Sequence, residues 1–204
     1  MPVCTILGGP NGAGKSSLFA ALDLPGQFIN ADQIAKSISP QNPEAASLEA
    51  GREVLKRLDR LILDRKDFVY ETTLSGNQAL NLMRKAKDAK YEIGLIFVIL
   101  ASADLHVLRV ADRVTKGGHS IPEEVIRRRY EGALSKLANA ISIADATAIF
   151  DNTELPAALM LRIKGDRIEE NSLDEAKLLH VRIAETIAQT LNIRTDSVIK
   201  AANP

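Results

Sequence analysis

Gly9-Pro10-Asn11-Gly12-Ala13-Gly14-Lys15-Ser16 is the stretch on which the fold turns. It completes the pattern G-x-x-x-x-G-K-[ST], and its flanks suit that pattern. Val3-Cys4-Thr5-Ile6-Leu7 before it is apolar and β-prone, and Ser17-Leu18-Phe19-Ala20-Ala21-Leu22 after it is compatible with a helix. A strand, a glycine-rich turn and a helix N-terminus in that order make an anion site. The glycines let backbone N–H groups converge, and the helix dipole adds positive potential. Lys15 is expected to reach the β- and γ-phosphates, and the Ser16 hydroxyl to ligate Mg²⁺, with Gly9 to Ser17 as the nucleotide-binding segment. The loop predicts a nucleoside triphosphate ligand. The fate of the γ-phosphate has to be read elsewhere in the chain.

The 204 residues suggest one domain, 1–204, large enough to bury a substantial core. Hydrophobic and charged contents of 46% and 25% are those of an ordinary globular protein. With 26 basic and 26 acidic residues there is no global field to attract nucleic acid or an anionic membrane, and 4% aromatics offer few stacking platforms for bases. Nucleic acid and membrane are therefore not expected as partners. The one cysteine, Cys4, cannot form an internal disulfide and reads as a small core residue. No secretory signal is visible, and the longest apolar run, Ile93 to Ala101, is strand-sized, so a cytoplasmic location is expected.

Strand and helix signals alternate, which predicts an α/β fold: a P-loop NTPase with a parallel sheet of about five strands flanked by helices. Strands are expected at Val3–Leu7, Phe28–Asn30, Phe68–Tyr70, Tyr91–Leu100 and Ala146–Phe150. Helices are expected from Glu44 to Leu63, Ala79 to Ala89, Leu105 to Val114, Pro122 to Ala140 and Leu173 to Leu191. In the first of these, Leu48, Val54, Leu55, Leu58, Leu61 and Ile62 carry the helical spacing. Gly165-Asp166 marks a hairpin turn, and Lys36–Pro43, polar with two prolines, a loop.

Ligands of open α/β sheets sit at the carboxyl ends of strands. Asp32, Glu71 and Asp151 fall there. Asp32 can take a proton from a substrate hydroxyl, and it can also cap a helix beginning at Gln33. Glu71 can hold Mg²⁺ or grip a substrate hydroxyl, with Thr72 and Thr73 adding donors beside it. Asp151-Asn152-Thr153 is placed for nucleotide contact, through Asn152, or for turn formation. Arg109 and Arg113 share a helix face, Gly117-Gly118-His119 follows, and Arg127-Arg128-Arg129-Tyr130 comes next. This reads as a hinged, arginine-bearing helical lid over about residues 103–140, able to cover a triphosphate and neutralise the transferring phosphoryl group. The apolar stripe Ile126, Tyr130, Leu134, Leu137, Ile141 puts Arg129 inward, Arg127 outward and Arg128 between them. His106 and His180 have no metal-spaced partners and read as ordinary helix residues.

Taken in order, GGPNGAGKSSL, INADQIA, FVYETTLSG, RVTKGGHSIPEEVIRRRY and IFDNT resemble the zeta toxin family of P-loop kinases, from the first strand to Thr153. That resemblance implies an adenylate-kinase-like fold, ATP and Mg²⁺ as cofactors, and transfer of the γ-phosphate to a hydroxyl. The studied toxins of the family phosphorylate the sugar 3′-hydroxyl of UDP-N-acetylglucosamine. It implies Asp32 as catalytic base, Glu71 and Thr73 as sugar-nucleotide contacts, and Arg113 with Arg128 or Arg129 as phosphate-stabilising arginines. It also implies a separate antitoxin protein as partner. Glu71-Thr72-Thr73 has a threonine where the studied toxins tend to carry glycine. Other hydroxyl acceptors (a sugar, a nucleoside, an antibiotic or a nucleic-acid 5′-hydroxyl) and a regulatory ATP-binding role share the same motifs.

Overall fold

The computed structural model describes residues 1–200. Along the chain run β1 (Val3–Gly8), α1 (Lys15–Ala21), β2 (Gln27–Ile29), α2 (Ala31–Ile38), α3 (Ser47–Leu63), β3 (Phe68–Thr72), α4 (Asn77–Asp88) and β4 (Glu92–Ile99). Then come α5 (Ala103–Thr115), α6 (Glu123–Ile143), β5 (Ala146–Asp151), β6 (Ala158–Lys164), β7 (Arg167–Asn171), α7 (Leu178–Leu191) and α8 (Thr195–Lys200). The sheet order is β2-β3-β1-β4-β5-β6-β7. The five expected strands are present and parallel, and the hairpin at Gly165 adds two antiparallel strands beyond β5, making seven.

Strand periodicity divides the side chains between two unequal cores. Cys4, Ile6, Phe68, Tyr70, Phe97 and Ile99 face the larger one, with α3, α4, α6 and α7 packed over them. The alternate residues Leu7, Val69 and Val98 face a smaller one against α1, where the Phe19 and Phe28 rings stack 4.0 Å apart. Cys4 is fully buried, and burial pushes its thiol up to about 12, so it is the unreactive core residue its position suggests.

Three elements differ from the sequence expectation. Helix α2 replaces the first part of the expected loop at Lys36–Pro43, and its N-cap is Asn30, whose Oδ1 accepts the Gln33 N–H at 2.9 Å. Asp32 therefore does not cap; it lies inside the first turn. In α3 the buried stripe is Ala50, Val54, Leu58, Leu61 and Ile62, while Leu48 and Leu55 are 69% and 47% exposed. At the C-terminal side the helix begins at Leu178, and the segment before it turns locally, with the side chains of Asn171 and Asp174 accepting the N–H groups of Leu173 and Ala176.

Candidate active site

Register brings the site together. β1 lies between β3 and β4, and its last residue, Gly8, stands opposite Thr72 on one side and Phe97 on the other. The crossover from β1 runs toward β2 and the one from β3 runs the other way, past β1 to β4, so the connections of these adjacent strands diverge and open a crevice at their carboxyl ends. The chain enters the loop through Gly9 (φ 146°), where a Cβ would stand 2.0 Å from the Val98 carbonyl oxygen. Gly14 (φ 88°) opens α1, and a Cβ there would meet Asn152 Nδ2 at 2.2 Å. Glycine is required at both positions by close backbone approach as well as by dihedral.

The loop wraps its own lysine. Lys15 is buried, and its Nζ donates to Gly9 O at 2.7 Å and Pro10 O at 3.2 Å. Glu71 Oε1 lies 3.8 Å from that ammonium, and Glu71 Oε2 accepts the Ser16 hydroxyl at 3.0 Å. Burial lowers the Lys15 pKa, while the charges of Glu71 and Asp32 oppose that shift and those of Arg113 and Arg129 reinforce it. A hydroxyl and a carboxylate side by side at the mouth of an N–H nest are hard oxygen donors of the kind Mg²⁺ takes. The residues present fit a magnesium nucleotide.

The lid arginines separate by position. Arg129 Nη1 donates to Asn11 Oδ1 at 2.8 Å, which ties α6 to the loop, and its pKa is lowered by burial and by Arg128, with Asp32 opposing. Arg113 Nη2 donates to His119 O at 2.9 Å, and its buried Nε has no hydrogen-bond partner among the described residues. Arg109 Nη2 donates to the carbonyls of Asn152 (2.6 Å) and Thr153 (3.1 Å), beside Gly14. Arg127 is held outside by Asp104 and Glu123, and Arg128 is exposed next to it. The turn carrying Gly117-Gly118 closes α5 with two hydrogen bonds, Gly118 N–H to Arg113 O and Gly117 N–H to Val114 O, with Gly117 at φ 84°.

A cavity of about 680 Å³ opens between α2, residues 40–44, the start of α3 and the lid turn. Asp32, Lys36, Gln41, Asn42, Arg113 and His119 present polar groups to it. His119 Nδ1 lies 2.7 Å from Glu44 Oε1, joining the lid turn to the opposite wall. Glu71, Thr72 and Thr73 are outside that lining: Glu71 serves Ser16 and Lys15, Thr72 Oγ1 accepts the Leu74 N–H, and Thr73 Oγ1 bonds Ser75 Oγ. Asp151 turns inward, accepting from the Thr153 N–H and hydroxyl and from His180 Nε2 at 3.3 Å. Burial opposes its ionisation, but these hydrogen bonds outweigh it and lower its pKa. Asn152 Nδ2 donates to Ala13 O at 2.8 Å, so this residue supports the loop from beneath.

Sequence reasoning missed the cavity wall at Lys36–Glu44 and the role of His106, which is fully buried against the loop. Two prolines and a polar composition mark the first only as a loop.

Fold and loop define a P-loop nucleotide-binding protein. The chain belongs to the Zeta toxin family, whose model matches residues 1–157. A Haemophilus influenzae relative, described only as an uncharacterized protein, is 35% identical over 123 residues, 60% of this chain and 88% of the relative. Among solved structures, one from the PezAT chromosomal toxin-antitoxin system of Streptococcus pneumoniae superposes with a TM-score of 0.63 at 15% identity, covering 95% of this chain and 88% of that one. The AvrRxo1-ORF1:-ORF2 structure with ATP gives 0.64 at 14% identity, covering 99% and 80%. At these identities the two structures share the fold.

Proposed function

We propose that the protein is an ATP-dependent kinase of a small hydroxyl-bearing molecule, with a sugar nucleotide, UDP-N-acetylglucosamine first, as acceptor. The observation that carries this reading is Asp32: a carboxylate on the wall of a roomy cavity that several polar side chains share, close enough to Lys15 and Arg129 to act on their ionisation. A carboxylate so placed can hold an acceptor hydroxyl and take its proton. Lys15 and the loop N–H groups bind the phosphates, and Ser16 and Glu71 hold Mg²⁺, which when bound neutralises charge on the phosphate oxygens. Arg113 on the cavity wall and Arg129 on the phosphate loop, both from the lid side, stabilise charge on the transferring group. Arg109 and Asn152 flank the loop beside Gly14 and would contact the rest of the nucleotide there. Lys36, Gln41, Asn42 and His119 offer the donors and acceptors that a polyol needs. The PezAT neighbour comes from a toxin-antitoxin system, and a separate antitoxin is proposed for this chain by analogy.

The test is incubation with MgATP and a panel of sugar nucleotides, sugars and nucleosides, read by mass for a gain of one phosphate. Phosphorylation of UDP-N-acetylglucosamine is the expected result, and transfer only to another acceptor would replace the substrate. Asp32→Asn is expected to lower kcat by about 10²–10⁴ while MgATP affinity holds. Full transfer by that variant would remove Asp32 as base.

A further inference from the structure

The His106 ring lies fully buried on α5 and joins two elements of the site. Its Nε2 accepts the Leu100 N–H at 3.1 Å, just past the end of β4, and its Nδ1 lies 2.7 Å from the Asn11 carbonyl oxygen. Both bonds form together only on the neutral ring with its hydrogen on Nδ1. The neighbouring Tyr130 packs against this ring, centroids 5.3 Å apart, and its hydroxyl donates to Ala101 O. Asn11 is thus gripped twice, at its carbonyl by His106 and at its side chain by Arg129.

We propose that His106 is a positioning residue of the nucleotide site, which acts by orienting the Asn11–Gly12 peptide of the phosphate loop. Across a planar trans peptide the carbonyl and the next N–H point in opposite directions. Drawing the Asn11 carbonyl onto the ring therefore turns the Gly12 N–H away from α5. That N–H has no acceptor among the described residues, so it is free for a phosphate oxygen. The packing supports the same orientation. A Cβ on Gly12 would stand 2.9 Å from the His106 carbonyl oxygen and 3.2 Å from Val110 Cγ2, so this side of the loop is filled by α5. The inference rests on the kinase reading only for the identity of the ligand.

Two variants separate the bonds. His106→Gln keeps an acceptor for Leu100 but loses the donor to Asn11; His106→Asn keeps an amide N–H where Nδ1 stood and leaves Leu100 unpaired. The Kd for MgATP is expected to rise about tenfold in His106→Gln and to recover most of the way in His106→Asn, although both lose thermal stability. A merely structural residue would move the melting temperature in both and leave their MgATP affinities equal to the wild type; that result overturns the proposal. Side-chain ¹⁵N NMR of the free wild type supplies a check independent of variant folding. His106 is expected as the Nδ1–H tautomer, and His180 as the opposite one, because its Nδ1 accepts the Asp174 N–H at 2.9 Å. An Nε2–H signal for His106 overturns the inference. A wild type without MgATP affinity overturns instead the kinase reading on which it rests.

Discussion

Protonating His106 would set a second ring N–H against the Leu100 N–H, so the fold selects the neutral imidazole. Burial pushes its pKa from 6.5 down to about 4; the bond to the Asn11 carbonyl opposes this, and the charges of Lys15 and Arg109 reinforce it. Between those two values the unfolded chain holds the proton and the folded chain does not. The contribution to stability is therefore complete above about pH 6.5 and is lost as pH falls toward 4, and that gap is worth roughly 3 kcal/mol. The melting temperature of the wild type is accordingly expected to fall more steeply than that of His106→Gln between about pH 7 and 4.5. Parallel curves would assign the acid sensitivity to other groups. Residue by residue, what could be read from the chain alone is what is local. The loop motif carries Lys15 and Ser16 within eight positions, and the helical stripe of Tyr130 turns Arg129 inward, as the bond to Asn11 bears out. His106 carries no such signal, since its partner Asn11 is 95 residues away.

At the scale of elements, the short helix α2 determines where the candidate base stands. β2 pairs with β3 through only Gln27, Phe28 and Ile29, and the chain then turns directly into α2 through the Asn30 cap. Asp32 lies in that first turn, so its aim depends on a helix of eight residues with one side-chain cap. Asn30→Ala is expected to cost about 1 kcal/mol of global stability, measured by urea unfolding. It is also expected to lower kcat with little change in MgATP affinity, because fraying moves Asp32 and leaves the loop in place. A loss of affinity equal to the loss of kcat would show that the cap supports the loop instead. The sequence shows this helix poorly. Its length, its short preceding strand and the prolines just beyond it resemble a loop, and the capping asparagine precedes the acid by two positions. In α3 the leucines mislead for a different reason. Leu48 and Leu55 match the period loosely, but the face that meets the sheet is set by Ala50, Val54 and Leu58, and small alanine marks the tight contact better than large leucine does.

Over the whole molecule, the part that matches the family stops where the sheet does not. Residues 1–157 hold the loop, the acids and the lid, yet β5 has one edge that only β6 covers, from Ala146–Lys164 to Asp151–Ala158. Beyond residue 157, Met160, Leu161, Ile163, Leu179 and Ile183 enter the same core as Ile6 and Phe97. α7 reaches back to α6 as well, with Arg182 on Glu131 at 2.8 Å and its guanidinium 5.9 Å from the Tyr130 ring centroid. His180 on α7 partners the buried Asp151 at the carboxyl end of β5. Each large apolar side chain buried there contributes roughly 1.5–3 kcal/mol, so the set rivals the ~5–15 kcal/mol net stability of a whole domain. Removing it would also bare the β5 edge that β6 now pairs and strand the Asp151 carboxylate without its imidazole. A chain ending at residue 157 is therefore expected to lose its cooperative thermal transition and its MgATP affinity together, although every residue of the candidate active site is still present. The measurement is calorimetry alongside nucleotide titration on both chain lengths. A truncated protein that melts cooperatively and binds MgATP as the full chain does would show that the hairpin and α7 are an addition to a self-sufficient kinase core; their joint loss would show that the site is held in shape by strands that carry none of its chemistry.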